Sequence, residues 1–134
     1  MRSLSLGNGN ALSILCLGAH ADDIEIGCGG TILRLVQENP ESMLSWVVFS
    51  AVGTRGEEAQ NAAQLFAGKN INRGPLLKTF QDGFMPFAGA EVKTVFEELK
   101  ERISPDLIFT HNRKDAHQDH RRLGAGHPGL GSGR

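Results

Sequence analysis

Tyrosine is missing from this sequence, tryptophan occurs once and cysteine only twice. Cys16 and Cys28 do not form a CxxC pair, and Cys16 sits inside an apolar run where it reads as a buried small hydrophobe. Such usage suits a reducing cytoplasm. No sign of charge dominates: the formal net charge is -1 and no basic run exists, so nothing favours nucleic acid or an anionic membrane as partner. No apolar stretch is long enough to span a bilayer. The segment "ALSILCLGA", with Ala19-His20-Ala21 behind it, superficially resembles a signal-peptide core and cleavage site. Its leading segment holds one arginine among Gly and Asn, a poor n-region, and cleavage would sever the run from the acidic turn that follows. A buried strand is the better reading.

What is present fits one ordinary globular domain of 134 residues, 40% hydrophobic and 22% charged. Residues 1–10 read as a loose polar arm. Leu12 to Leu17 is apolar without alternation, as in a strand covered on both faces. After Gly30, the spacing of Ile32, Leu35 and Val36 predicts a helix stopped at Pro40. Leu44 to Val52 predicts a second strand. Ala59, Ala62, Ala63 and Phe66 mark a helix ending at Gly68, and "LLKTF" is a weaker third strand. Val92, Val95, Phe96, Leu99 and Ile103 give the clearest amphipathic helix, ended by Ser104-Pro105. Asp106 to Thr110 is the fourth strand. Alternating strands and helices predict an α/β, Rossmann-like, mostly parallel sheet with helices on both faces. Ligands then gather beyond the carboxyl ends of the strands, where His20 to Asp23, Arg55, and His111 to His120 would converge.

The stretch "LGAHADDIEIGCGG" is not a dinucleotide loop. Its glycines miss the G-x-G-x-x-G spacing, and its paired aspartates would repel a pyrophosphate. Gly27, Gly29 and Gly30 read instead as close helix-to-strand packing. The second polar cluster, "THNRKDAHQDH", holds His111, Asp115, His117, Asp119 and His120. Facing the first, it offers the nitrogen and oxygen donors that zinc accepts, three protein ligands leaving a catalytic position open. His20 and Asp23 lie at i and i+3 of one turn and can aim at one point, and His120 can supply the third ligand. Asp22 is then left beside the metal, able to take a proton from a water the metal polarises.

These residues carry a resemblance. "AHADDIEIGCGG" resembles the A-H-P-D-D-E signature of the LmbE-like/PIG-L zinc-dependent de-N-acetylases, and "HQDH" matches their H-x-D-H motif; "TRGEEA" and "DGF" match weaker ones. The resemblance covers roughly Leu12 to Arg121. It implies zinc on His20, Asp23 and His120, a general base at Asp22, and a carbonyl-polarising His117 that Asp119 orients. It also implies that Arg55, Asp82 and Met85 line a pocket for an N-acetylglucosamine-type sugar conjugate whose acetamide is hydrolysed. Iron(II) or manganese(II) would suit the same donors. Two departures stand in the first motif: Ala21 replaces proline, and Ile24 replaces the acid, which comes one place later as Glu25.

Two rival readings remain at this level: a weakly active or inactive sugar-binding relative, and a nucleotide module with an incidental acidic turn. The sequence divides into the arm at 1–10, a partial de-N-acetylase domain at 11–122 and a Gly-rich tail at 123–134. The final eleven residues hold five glycines and a proline, a composition that argues against a helix after His120. The resemblance implies further strands there, so the domain reads as incomplete at its C-terminus, with an exposed sheet edge and a tendency to homo-oligomerise.

Overall fold

The structure is a computed structural model and describes residues 4–125. The tail from 126 onward, with His127, lies outside the described residues. Four strands, β1 (Ser13–His20), β2 (Met43–Ser50), β3 (Leu76–Leu77) and β4 (Leu107–Phe109), form one sheet in the order β3-β2-β1-β4. Every ladder is parallel, with one antiparallel bridge from Ser50 to Thr79. Helices α1 (Asp23–Glu38), α2 (Thr54–Ala67), α3 (Gly89–Arg102) and α4 (Gln118–Ala125) cover the sheet. The chain runs outward from β1 to β3, then returns past β1 to β4. That reversal makes a switch point between the carboxyl ends of β1 and β4, where α/β sheets bind ligands.

Why β1 lacks alternation is visible in its two cores. Ile14 and Cys16 pack with Ile32 and Leu35 of α1 and Ala59 and Ala63 of α2. Leu15, Leu17 and Ala19 pack on the other face with Val92, Val95, Phe96 and Leu99 of α3 and Leu123 of α4. Both sides of the strand are therefore apolar. Among the described residues β4 has no strand on its outer side.

Three local expectations are corrected. Helix α1 begins at Asp23 rather than after Gly30, so the three glycines lie inside it. They do not serve helix-to-strand packing: a side chain on Gly29 would meet the Phe66 ring of α2 at 2.7 Å, while Gly27 and Gly30 have nothing within 4 Å. Residues 4–10 bond to the C-terminal end of α1: Asn39 accepts from the Gly9 amide and donates to the Leu6 carbonyl, while Arg34 donates to the Leu4 carbonyl. The segment after His120 is helical as far as Ala125, since Leu123 is buried in the core and tertiary packing overrides weak propensity.

Gly124 shows why that helix carries a glycine. A Cβ there would lie 2.5 Å from the His111 carbonyl oxygen and 3.2 Å from the Arg113 nitrogen, both backbone atoms of the loop that leaves β4. Propensity alone favours Gly124→Ala by about 1 kcal/mol, whereas overpacking costs about 1–3 kcal/mol and backbone yields less than a side-chain tip. Gly124→Ala is therefore expected to lower the melting temperature, while Gly30→Ala, in open space, is expected to raise it. Chemical denaturation of both variants checks the opposite signs; equal stabilisation would remove the packing argument.

Candidate metal centre

His20 ends β1 and Asp23 opens α1, so two residues of connection turn the chain back on itself. The turn is closed by Asp23, whose Oδ2 accepts from the His20 backbone N–H at 2.8 Å. His120 comes from the first turn of α4, across the switch point. The three side chains meet: His20 Nδ1 and His120 Nε2 lie 3.3 and 3.1 Å from Asp23 Oδ2, and 3.3 Å from each other. Arms of 2.0–2.1 Å to a tetrahedral zinc place neighbouring donors about 3.3 Å apart. The triangle already has the size the ion requires.

Each side chain in the triangle is only 15–17% exposed. Burial works against the Asp23 anion, but the His20 ring and backbone amide, with His120 and His111, hold its carboxyl below the usual aspartate range. The bond to Asp23, with Asp119 assisting against burial, lifts the His20 imidazole to about 9.

His111 belongs to the second sequence cluster, which by itself gives it no role. It stacks on His120 with centroids 3.9 Å apart and lies 3.5 Å from Asp23. Its Nε2 accepts from the Ala19 amide at 3.0 Å, which commits the lone pair that a metal would need. Burial, with the neighbouring His120, pushes it down to about 4, so it stays neutral. It buttresses His120 rather than joining the donor set. Asp115, equally without a role in the sequence pattern, places Oδ1 at 3.3 Å from His120 Nδ1 and accepts from the His117 amide. The only signal for either was the density of His and Asp between 110 and 120.

The remaining expected residues divide. Asp22 is exposed at the N-cap of α1, and its side chain caps nothing. His117 lies edge-on to His20 at 4.7 Å, and its Nδ1 accepts from the Asp119 amide. In the neutral ring the proton then sits on Nε2, leaving a donor. Asp119 is fully buried, yet its carboxylate does not turn to His117; it accepts from the Gly83 and Met85 amides and lies 3.0 Å from His20 Nε2. Met85 is fully buried in the α3-side core, and its amide reaches the site by donating to Asp119. Asp82 is 74% exposed, 3.1 Å from His20 Nε2. Ile24, where an acid was expected, fills the core, while Glu25 is half-buried and raised by that burial.

Arg55, in the first turn of α2, shares a cleft of about 260 Å³ with His20, Ser50, Val52, Gln81 and Asp82. Its ion pair with Glu58 is long, at 3.9 Å, and exposed, so it contributes little to stability. Arg55→Ala is expected to shift the melting temperature by no more than a degree or so, and to weaken ligand binding in that cleft. Calorimetric titration with N-acetylglucosamine conjugates reads the second effect.

Residues 15–127 match the family described as PIG-L, GlcNAc-PI de-N-acetylase. The chain belongs to the PIG-L family. The match runs past Arg121, where the sequence resemblance was expected to stop. An uncharacterised deacetylase of Escherichia coli, YaiS, is 29% identical over 117 residues, spanning 80% of this PIG-L chain and 61% of its own. The N,N'-diacetylchitobiose deacetylase of Pyrococcus horikoshii, solved with an inhibitor, superposes with a TM-score of 0.67 at 26% identity, over 90% of this chain and 50% of that one. The conserved protein TT1542 of Thermus thermophilus shares the fold, with a TM-score of 0.64 at 24% identity over 84% and 52% of the two chains. The chain thus spans about half to three-fifths of the length of these relatives. No helix among the described residues is long and apolar enough to cross a membrane.

Proposed function

We propose that this chain carries the metal-binding half of a zinc-dependent de-N-acetylase site acting on the acetamide of an N-acetylglucosamine-type sugar conjugate. The observation that carries it is the donor triangle of His20, Asp23 and His120, whose sides match those of a tetrahedral zinc site within a few tenths of an ångström. A zinc ion held there supplies Lewis acidity and lowers the pKa of a bound water. The surrounding residues do the rest. Asp22 stands next in sequence to Asp23, outside the triangle, and takes the proton from the attacking water. His117, its ring 4.7 Å from both His20 and His120, offers an Nε2 donor suited to the carbonyl oxygen as negative charge develops there. Arg55 and Asp82 present a guanidinium and a carboxylate to sugar hydroxyls in the shared cleft. The family match and the chitobiose deacetylase superposition support the substrate class.

The decisive experiment loads the purified chain with zinc, counts the metal and measures acetate released from N-acetylglucosamine conjugates. Stoichiometric zinc with acetate release supports the proposal. Sugar binding without release identifies a non-catalytic relative, and absence of zinc binding removes the metal reading altogether.

A further inference from the structure

The two histidines of the triangle have something in common that the H-x-D-H motif does not announce: each has a carboxylate on its far nitrogen. His20 turns Nδ1 toward Asp23 and His120, and Nε2 toward Asp119 Oδ2 at 3.0 Å. His120 turns Nε2 inward, and its Nδ1 lies 3.3 Å from Asp115 Oδ1. We infer that Asp119 is the positioning residue of His20, fixing the Nε2–H tautomer that leaves Nδ1 free for the metal, with Asp115 doing the same for His120 in the opposite tautomer. This rests on the reading of His20, Asp23 and His120 as metal ligands.

The geometry around Asp119 makes it the stronger of the two. Its side chain is fully buried and cannot swing away. Oδ2 accepts from the Gly83 amide at 2.6 Å and Oδ1 from the Met85 amide at 3.0 Å, so both oxygens are anchored before His20 is considered. Gly83 takes φ +80, a conformation open to glycine, which lets the turn present its amide to the carboxylate. Gln118, one residue earlier on α4, donates to the Gly83 carbonyl. The first turn of α4 therefore clamps the Asp-Gly-Phe turn from both sides and points the remaining acceptor capacity of Asp119 at the His20 ring. Asp82, the other carboxylate near Nε2, is 74% exposed, which frees it to address a substrate. Carboxylates that receive the far N–H of a ligating histidine fix its ring orientation and raise its basicity.

Three measurements on the zinc-loaded chain test this. Long-range proton–nitrogen spectra of the imidazoles should show His20 protonated on Nε2 and bound through Nδ1, and His120 the reverse. Asp119→Asn, which keeps the size of the side chain but sets an amide against one of its amide donors, should weaken zinc by about 10–100-fold in competition with a chelator. Circular dichroism and a cooperative melt confirm that this variant folds; should it not, the wild-type spectra decide alone. Asp115→Asn, at a half-exposed position, should lose less. A His20 ring bound through Nε2, or an Asp119→Asn affinity within twofold of wild type, overturns the inference while leaving the metal site standing. Unchanged zinc affinity in His20→Ala overturns the ligand reading and the inference together.

Discussion

Asp22→Asn is expected to keep its zinc and lose turnover by a factor of about 10²–10⁴, the range over which a positioned general base contributes. The fold gives a clean background for this test. The Asp22 side chain makes no capping hydrogen bond and is exposed, while its backbone carbonyl accepts from the Ile26 amide regardless of side chain. Asparagine is as good as aspartate at an N-cap. The competing explanation is that Asp22 merely complements the α1 dipole, a contribution of about 0.3–1 kcal/mol to stability. That role predicts a small drop in melting temperature with unchanged kcat; the base role predicts the reverse. Asp23→Asn is the companion measurement, because its Oδ2 is the vertex shared by both histidines and zinc should leave with it. Zinc loss from both variants alike would show that base and ligand had been confused.

The sheet was largely legible because it depends on local pattern. Four apolar runs at the right intervals place β1 to β4, and the 3.6 spacing of Val92, Val95, Phe96 and Leu99 marks α3 almost to its ends. The pairing of His20 with Asp23 is likewise local, since three residues at a strand-to-helix turn bring both into one place. What was not legible depends on through-space neighbours. Nothing in "HQDH" says that the carboxylate of Asp119 faces a ring 99 residues earlier rather than the histidine two places before it. Nothing in "DGFMPF" says that Met85 turns inward while Phe84 and Phe87 stay exposed. The glycines misled in both directions. Composition suggested that α1 began after Gly30 and that no helix followed His120, yet Gly29 sits where α2 approaches and Gly124 where the β4 loop crosses. A glycine counts against a helix only when no neighbouring element needs the space.

Removing the imidazole of either His20 or His120 is expected to abolish stoichiometric zinc at micromolar metal. Structural four-ligand zinc sites are bound by about 10–16 kcal/mol, so one protein ligand is worth about 3 kcal/mol, a loss of roughly 100-fold or more. His111→Ala should cost far less, since its Nε2 is already committed to the Ala19 amide and the ring only backs His120. The pH dependence distinguishes the ligands further. Without metal, the bond to Asp23 raises the His20 imidazole to about 9, so at neutral pH that ring holds a proton which zinc must displace. Zinc uptake should therefore release a proton, and apparent affinity should rise close to tenfold per pH unit toward about 9, then level off. Below that value the proton competes with the ion; above it the ring is already free. Calorimetric titration in buffers of different ionisation enthalpy counts the released proton directly. A flat affinity between pH 6 and 8 would show that His20 carries no proton for zinc to displace, whereas wild-type zinc content in both His20→Ala and His120→Ala would show that the ion, if bound, sits elsewhere than in this triangle.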